Sequence, residues 1–595
     1  MEMTLWMRIL APRTGIALML ALAVAGSSFA AETDFEVLID EDGVYRVDYE
    51  QLQMAGLDSP VASELLAVRS QGEETPIFVV DGGDGLFGPG DYFEMIGSRL
   101  VGETSWVHDY ARHNVYRLSI DRAGGARMAA RGEAAGEGAE ASGLRVERHL
   151  EEDSMLVRLP GRNASQDSWF WKKLVHNQKA PIGIPLDLSG LDPEGRISVR
   201  LGVRGWSKPH NKASKEVADH RLVVRIGQRT ILAESWNGSN PHELVLEDAP
   251  AAWFDLESPE LLLRVPVRRE TRDGDRALID VVMLNWVEVS YSHLAEAPAR
   301  DERLLVDGGE ALNLGALAAP VRIYTSSGGR AELQGSGVMP LEPADHAVRV
   351  SRQALLKTPV AVLPDSRSSW LEPAQQADYL IVTHQAFKQA IEPLANLHRK
   401  RGLKVSVAEV GDLYDEFNHG IAHPRAIRDF VAYASSTWQK PAPRFLLLVG
   451  DASWDLKNSE ADDSLYADWT YRRGESLNFA KNDSTTYEGG TGRLRHFVPT
   501  WQAMTHQGHA ASDNYFADID GENGEPDGMP DLAVGRLPVA SVEEVEAILA
   551  KIKAYIEEPQ AGDWQRKVLL VTNEQSIFQK RSDQLADKLS GEGFL

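Results

Sequence analysis

The chain comprises 595 residues, of which 43% are hydrophobic and 25% charged, and it carries a formal net charge of −26 with no cysteine. This length exceeds what one hydrophobic core can organise, so about three or four domains are expected. The acidic balance disfavours nucleic acids and anionic membranes as partners. The lack of cysteine excludes disulfide bonds, a lipidated N-terminal cysteine and a thiol nucleophile within these residues.

The first 30 residues have the pattern of an export signal. Arg8 and Arg13 are basic, residues 15–25 form an apolar run too short to span a bilayer, and Ser28 and Ala30 supply small side chains for cleavage. We therefore predict a signal peptide over residues 1–30 in preference to a transmembrane anchor. The mature protein is expected to be periplasmic, associated with the outer membrane or extracellular.

Residues 31–121 predict a small β domain. Apolar and polar residues alternate after Phe35, which is typical of half-buried strands, and residues 81–97 are rich in turn-forming residues. This turn has the glycine spacing of a dinucleotide-binding loop, with Gly83, Gly85 and Gly88. A Pro-Gly pair follows where such a loop requires the start of a helix, so we predict a tight turn and no bound nucleotide.

Residues 122–143 are rich in glycine and alanine and nearly lack large apolar side chains, so we predict a linker. In residues 144–295, short β-forming runs are separated by turn clusters, which favours an antiparallel sandwich of the jelly-roll type. Tryptophans gather in this segment and admit two interpretations, an aromatic platform for sugars and ordinary core packing. Residues 296–372 have weaker strand patterns and predict a β module followed by a linker.

The hydrophobic period then changes, and residues 373–595 predict an α/β domain with a mostly parallel sheet. Apolar runs of strand length alternate with helical patterns from Asp378 onward, which is the βαβ rhythm of such sheets. Parallel sheets place functional side chains at the carboxyl ends of their strands, where this sequence has His384, Asp451 and an acidic loop. For His384 two roles are open, catalysis and capping of the helix that follows.

The C-terminal part of this domain has two further predicted elements. Residues 567–574 are apolar enough for another strand, and residues 579–589 have the pattern of a helix that ends at a glycine. The last apolar residues resemble the start of a strand. We therefore expect the α/β domain to be incomplete at this point and to continue beyond Leu595.

The acidic loop between residues 518 and 531 is the strongest candidate for a metal site. Alternating carboxylates in a glycine-rich turn suit the oxygen coordination of calcium. The loop is not an EF-hand, because Met529 stands where an EF-hand has a bidentate glutamate. A structural calcium site and a solvated acidic turn are therefore both open. The candidate ligands are Asp518, Asp520, Glu522, Asp527 and Asp531.

Four stretches of the α/β segment carry a family resemblance. They are ADYLIVTHQAF, LHRKRGLKVSVAEVGDLYDEFNHGIAHPRAIRDFVAYA, PRFLLLVGDASWD and SDNYFADIDGENGEPDGMPDLAVGRLPV. In their order and in their residues these stretches resemble the gingipains, peptidase family C25, from about residue 377 onward. EDGVYRVDYEQL and DGGDGLFGPGDYFEMIG near the N-terminus also resemble the β region of long exported members. The resemblance implies a caspase-like fold, export, protein or peptide substrates, a Cys–His catalytic dyad and, in many members, stabilising calcium.

The catalytic residues of that family cannot be carried over to this chain. The family's histidine lies in a Gly-His-Gly motif and its cysteine follows the next strand, and neither motif occurs in these 595 residues. We therefore assign no catalytic residue, expect the dyad beyond Leu595, and expect no cofactor for the chemistry. The following residues match framework motifs of the family: Asp451, Ser512, Asp513, Asp531 and Arg536.

Three functions are consistent with these observations. The first is an exported cysteine-type endopeptidase, of which this chain is an N-terminal part and inactive by itself. The second is a transpeptidase of the same family that processes cargo at the outer membrane together with secretion machinery. The third is a non-catalytic protein whose β domains bind a surface glycan or protein.

Overall fold

The computed structural model describes residues 34–594 with the exception of residues 104, 121–123, 133–142, 157–166, 366–367, 453–496, 506–507 and 522–525. The predicted signal peptide lies outside the described residues. Within the described ranges, no helix combines the length and the apolar character needed to cross a membrane. The α-helices are α1 (Tyr49–Met54), α2 (Gln385–Lys400), α3 (Val410–Phe417), α4 (Pro424–Thr437), α5 (Val542–Glu557) and α6 (Ser576–Gly591).

The N-terminal β domain contains a five-stranded and a three-stranded sheet that enclose a core of aromatic and branched side chains. Its strands are β1 (Asp34–Ile39), β2 (Gly43–Asp48), β3 (Val61–Ala62), β4 (Leu66–Ser70), β5 (Glu73–Glu74), β6 (Ile77–Val80), β7 (Leu86–Phe87), β8 (Tyr92–Gly97) and β9 (Asn114–Ile120). The predicted glycine turn forms short turns around β7, with Asp81 and Asp84 accepting hydrogen bonds from nearby backbone N–H groups. It does not open a helix, as the Pro-Gly pair predicts.

The central part of the chain forms a sandwich in which a large sheet packs against the four-stranded sheet β15-β20-β17-β18. Its strands are β10 (Ala129–Arg131), β11 (Arg145–Glu151), β12 (Met155–Leu156), β13 (Trp169–Phe170), β14 (Lys172–Val175), β15 (Ile182–Pro185), β16 (Arg196–Gly205), β17 (His220–Ile226), β18 (Arg229–Trp236), β19 (Pro241–Pro250), β20 (Glu260–Arg264) and β21 (Val281–Ser292). Trp171 and Trp236 are buried in its core, whereas Trp206 is exposed.

Four strands of the next segment extend the large sheet, and two others form a separate two-stranded sheet. Its strands are β22 (Glu302–Leu305), β23 (Ala311–Asn313), β24 (Val321–Thr325), β25 (Gly329–Leu333), β26 (Val338–Pro340), β27 (Ala347–Ser351) and β28 (Ala361–Asp365). The sheet runs in the order β10-β25-β24-β27-β22-β11-β21-β16-β19, with β14 also on β21. The boundary predicted at residue 295 therefore divides one continuous sheet. Strand β10 lies in the predicted linker 122–143, because backbone pairing with β25 needs no large side chains.

Strand β28 belongs to a different sheet, in the N-terminal domain. It pairs antiparallel with β1, so that Asp34 lies opposite Asp365. The N-terminal domain is thereby completed by residues that directly precede the α/β domain. Leu38, Leu100, Ala111 and Val115 of the N-terminal domain also enter the hydrophobic core beneath α3 and α4. The two domains consequently share one hydrophobic core, and the sheet of the N-terminal domain ends on a strand that lies just before the α/β domain.

The α/β domain has a parallel sheet in the order β30-β29-β31-β34, with α2 and α5 on one face and α3 and α4 on the other. Its strands are β29 (Tyr379–Thr383), β30 (Val405–Glu409), β31 (Phe445–Val449) and β34 (Ala533–Leu537), joined by the hairpin of β32 (Trp501–Thr505) and β33 (Gly508–Ser512). The architecture of β domains followed by an α/β domain confirms the predicted fold class.

One predicted strand of this domain is wrong. Residues 567–574 form no strand, and Leu569 and Val571 are 87% and 83% exposed. A strand needs a neighbour that accepts and donates its backbone hydrogen bonds, and none of the described strands lies beside this segment. Helix α6 spans residues 576–591, longer than the predicted 579–589, and none of its described side chains is buried.

Candidate functional site

The carboxyl ends of three strands meet at one edge of the parallel sheet. Thr383 of β29 lies opposite Val449 of β31, which in turn lies opposite Leu537 of β34. The residues that follow these strands are therefore neighbours, as the sequence predicts for His384 and Asp451. In sheets of this kind the same edge carries the chemistry.

His384 caps the helix that follows it. Its Nδ1 accepts a hydrogen bond from the backbone N–H of Ala386 at 3.2 Å, and its ring packs against Phe497 with 5.3 Å between centroids. The side chain is buried, and this desolvation lowers the pKa of His384 to about 4. The imidazole is therefore neutral at physiological pH and engaged by a helix terminus, so the capping role is the one that the structure supports.

Arg536 is the centre of the hydrogen-bond network at this edge. Its guanidinium holds the Asp513 carboxylate through Nε at 2.7 Å and Nη2 at 2.8 Å. It also donates to the carbonyl oxygens of Gly450 and Val498 at 2.7 Å and of Pro499 at 3.0 Å. These bonds engage all five N–H donors of the side chain. Arg536 thus fastens the end of β31, the segment after residue 496 and the loop of Asp513 to β34.

Asp513 and Asp451 are engaged in the same framework. Asp513 also accepts a hydrogen bond from the Thr500 hydroxyl at 3.0 Å. Asp451 donates its backbone N–H to Val539 at 2.8 Å, and its carbonyl oxygen accepts from the backbone N–H of Phe497 at 3.0 Å. The motif residues at this edge therefore build and hold the edge, and their contacts give no nucleophile or general base among them.

The acidic loop is folded by its own carboxylates. Asp518 is buried and accepts the backbone N–H groups of Asp527 at 2.9 Å and Gly528 at 2.7 Å. One oxygen of Asp531 accepts the N–H groups of Ile519 at 2.8 Å and Asp520 at 3.2 Å. Glu522 lies outside the described residues. The loop is tied to α4, because Arg428 donates to the carbonyl oxygen of Asp518 at 2.8 Å.

Asp520 and Asp531 are the pair in this loop that best fits a cation. The charge of Asp531 and a hydrogen bond to it raise the pKa of Asp520, with smaller contributions from Asp527 and Asp518. Like charges that face each other in this way are stabilised by a bound cation. Asp518 fits less well, because both of its oxygens already accept backbone N–H groups.

A different carboxylate group was not visible in the sequence. Buried Glu36, Asp365 and Asp415 bring side-chain oxygens within 4.8 Å of one another. Arg117 lies against this group, pairing with Asp365 at 2.6 Å and donating to the carbonyl oxygen of Asp415 at 2.9 Å. The group joins β1, β28 and α3, so residues more than 300 positions apart build it, and no local motif indicates it.

Similarity to known proteins identifies the family of this domain. The sequence model of peptidase family C25 matches residues 372–592. This segment belongs to peptidase family C25. It contains the parallel sheet, the Arg536 network and the acidic loop described above, so the resemblance drawn from the sequence is confirmed. No curated protein matches the chain.

The fold of the C25 domain and of the β domains before it has a solved counterpart. Dimeric latent PorU from Porphyromonas gingivalis superposes with a TM-score of 0.60 at 16% sequence identity, covering 93% of this chain and 52% of the PorU chain. This chain thus spans about half of PorU's length. A structure described as a protease (TM-score 0.20, 21% identity) covers 34% of this chain and 33% of its own. At these identities the likeness concerns the fold.

Proposed function

We propose that this chain is part of an exported cysteine-type peptidase of family C25. The match of residues 372–592 to that family is the observation that supports the proposal. Its substrates would be proteins or peptides. The N-terminal β domain, which shares a hydrophobic core with the C25 domain, would be a permanent part of the enzyme.

In this chemistry a thiolate attacks the scissile carbonyl, a histidine transfers the proton to the leaving amine, and backbone N–H groups bind the oxyanion. These 595 residues contain no cysteine, so the thiol would have to come from sequence outside them. The role proposed for the residues at the sheet edge is support. Arg536, Asp513 and Asp451 fix this edge, and His384 caps the helix behind it.

Export is the second part of the proposal. The basic residues, short apolar run and small residues of positions 1–30 favour a signal peptide. The expected location is the periplasm, the outer membrane or the medium. N-terminal sequencing of the protein from its source tests this: a mature chain that begins at or near Ala31 supports export, and one that begins at Met1 contradicts it.

The activity is tested on the protein isolated from its native source, side by side with the 595-residue chain. We expect the native protein to cleave a denatured protein substrate and to lose this activity after thiol alkylation, while the 595-residue chain is inactive. Peptide mapping of the native protein should find a cysteine-containing segment. If its gene encodes no cysteine, the peptidase proposal fails and a surface-binding role of the β domains takes its place.

A transfer reaction in place of hydrolysis is the second candidate. The likeness to PorU extends over 93% of this chain and includes the β domains, so the similarity is not limited to the C25 segment. Mass spectrometry of the products separates the two reactions, since a transpeptidase joins the cleaved carboxyl group to an added amine. Hydrolysed product alone, in the presence of excess amine, rejects this candidate.

We also propose a weak structural calcium site at the acidic loop, with Asp520 and Asp531 as its principal ligands. Extracellular calcium sites of this kind bind in the millimolar to submillimolar range. Millimolar calcium should raise the melting temperature of the C25 domain, and Asp520→Asn should abolish most of that rise. Asp84→Asn, which alters an exposed turn aspartate in another domain, is the matched control. An equal calcium effect in both variants contradicts the site.

A further inference from the structure

One loop of the N-terminal domain joins all three parts of the molecule. We call residues 98–113 the junction loop; residue 104 lies outside the described part of it. On the sandwich side, the Trp106 ring stacks on His149 with 4.3 Å between centroids, and the Ser105 hydroxyl donates to Glu151 at 2.8 Å. On the other side, the hydroxyl oxygen of buried Tyr110 accepts the backbone N–H of Gln502 in β32 at 3.1 Å.

The contact with the C25 domain is built on aromatic rings and two histidines. The Tyr110 ring lies 4.7 Å from that of His423, which precedes α4, and His108 lies 5.8 Å from His423. Trp501 stacks on Tyr515 at 4.1 Å and extends this cluster into the hairpin. The junction loop therefore covers the start of α4 and the hairpin strand β32.

Both histidines act as hydrogen-bond acceptors at this contact. Nδ1 of His423 accepts the backbone N–H of Arg425 at 3.0 Å and so caps α4. Nδ1 of His108 accepts the N–H groups of Tyr110 at 3.1 Å and Ala111 at 2.8 Å, which shapes the loop. An imidazole accepts through Nδ1 only while it is neutral, because protonation turns both ring nitrogens into donors.

The charged surroundings oppose protonation as well. Burial, the neighbouring His108 and Arg425 hold the pKa of His423 well below its usual range. Arg425 pairs with Glu103 of the junction loop at 3.0 Å, so this carboxylate is engaged by another cation. The titratable and charged groups around the contact are His108, Asp109, Tyr110, Glu103, Arg425, Arg428, Asp429 and Tyr515.

The sandwich side has the opposite chemistry. Both ring nitrogens of His149 lie within hydrogen-bond distance of carboxylate oxygens, at 2.7 Å from Glu151 and 3.1 Å from Glu288. The contacts of Trp106 and Ser105 with the sandwich involve neither His108 nor His423. Protonation of those two histidines therefore removes no hydrogen bond on the sandwich side of the junction loop.

We infer that the junction loop is an acid-sensitive joint, which releases the C25 domain when His108 and His423 become protonated and stays attached to the sandwich. Proton linkage gives the direction of the pH effect on the closed state. A histidine whose pKa is lowered in the closed state stabilises that state above pH about 6.5, and this stabilisation is lost as the pH falls below that value. For His423 alone, the ratio of open to closed states should rise about 30-fold between neutral pH and pH about 5.

Hydrogen–deuterium exchange of the 595-residue chain tests this inference. After correction for the intrinsic pH dependence of exchange, protection of the amides in residues 98–113 and at the start of α4 should fall about 30-fold on going to pH about 5. Amides of β21 in the sandwich should keep their protection, which separates local release from global unfolding. His423→Asn retains a capping side chain without a titrating group, so its loss of protection should be only a few-fold.

Two further variants complete the experiment. His210→Asn changes an exposed histidine in the sandwich and should behave like the wild type. His108→Asn should reduce the acid response independently, and it decides the question if His423→Asn fails to fold. Unchanged protection of residues 98–113 in the wild type at pH about 5 overturns the inference. The same loss in the wild type and in the folded variants also overturns it.

Discussion

Replacing Arg536 with alanine should strongly destabilise the C25 domain. The substitution removes five hydrogen bonds, leaves the partly buried Asp513 carboxylate without its cation and removes the guanidinium donor from three carbonyl oxygens. Removing one partner of a buried ion pair typically destabilises by about 3–5 kcal/mol. Differential scanning calorimetry should show the transition of this domain lowered by about 6–20 °C.

The controls for this prediction use the same residue type. Arg536→Lys keeps the charge but lacks the planar fork, so it should recover only a minor part of the loss. Arg276→Ala changes an arginine whose side chain is 80% exposed and should stay within about 0.5 kcal/mol of the wild type. A melting temperature of Arg536→Ala equal to that of Arg276→Ala would show that the network is dispensable.

The second large effect is expected for Glu94→Gln in β8. Glu94 is fully buried and binds Arg322 at 2.6 Å, the Tyr324 hydroxyl at 2.8 Å and Arg330 at 3.2 Å. The substitution removes the buried negative charge that both largely buried arginines contact; the other carboxylate near them among the described residues, Glu332, is exposed. We expect a loss of about 3–5 kcal/mol, seen as a lower urea midpoint of the β domains.

Glu332 provides a matched control, because it faces the same two arginines from the surface. It lies 3.7 Å from Arg322 and 3.5 Å from Arg330, and its side chain is 40% exposed. Glu332→Gln should therefore change stability by less than about 1 kcal/mol. Equal effects of the two substitutions would refute the claim that burial, and not the pairing itself, makes Glu94 important.

Sequence patterns were informative wherever the determinant is local. The helices that begin at Gln385, Pro424 and Val542 carry their own caps and amphipathic periods, and they lie in the segment where helical patterns are predicted from Asp378 onward. The position of His384 at the end of a strand could likewise be predicted from the sequence. Its capping role was one of two alternatives, because the choice depends on burial by Phe497, a residue more than 100 positions away.

Structural features that depend on contacts between distant segments could not be predicted from the sequence. Strand β10 forms in a glycine- and alanine-rich segment because it can pair with β25. Residues 567–574 form no strand, because none of the described strands lies beside them to pair with. The Arg536 network was recognisable only as a family motif, since its partners lie on three separate segments. The acid-sensitive contact of His108 and His423 brings together residues 315 positions apart in the sequence.

The pairing of β1 with β28 has a consequence for how the protein is made. Asp34 lies opposite Asp365, so the first sheet of the chain cannot close until more than 300 further residues have been synthesised. At ribosomal rates of about 5–20 residues per second, the edge of β1 that pairs with β28 remains unpaired for tens of seconds. Loop closure over this distance is also slow. If the chain crosses a membrane before it folds, as proposed above, this sheet would still be open during transport, and the uncovered edge of β1 would be a binding site for chaperones.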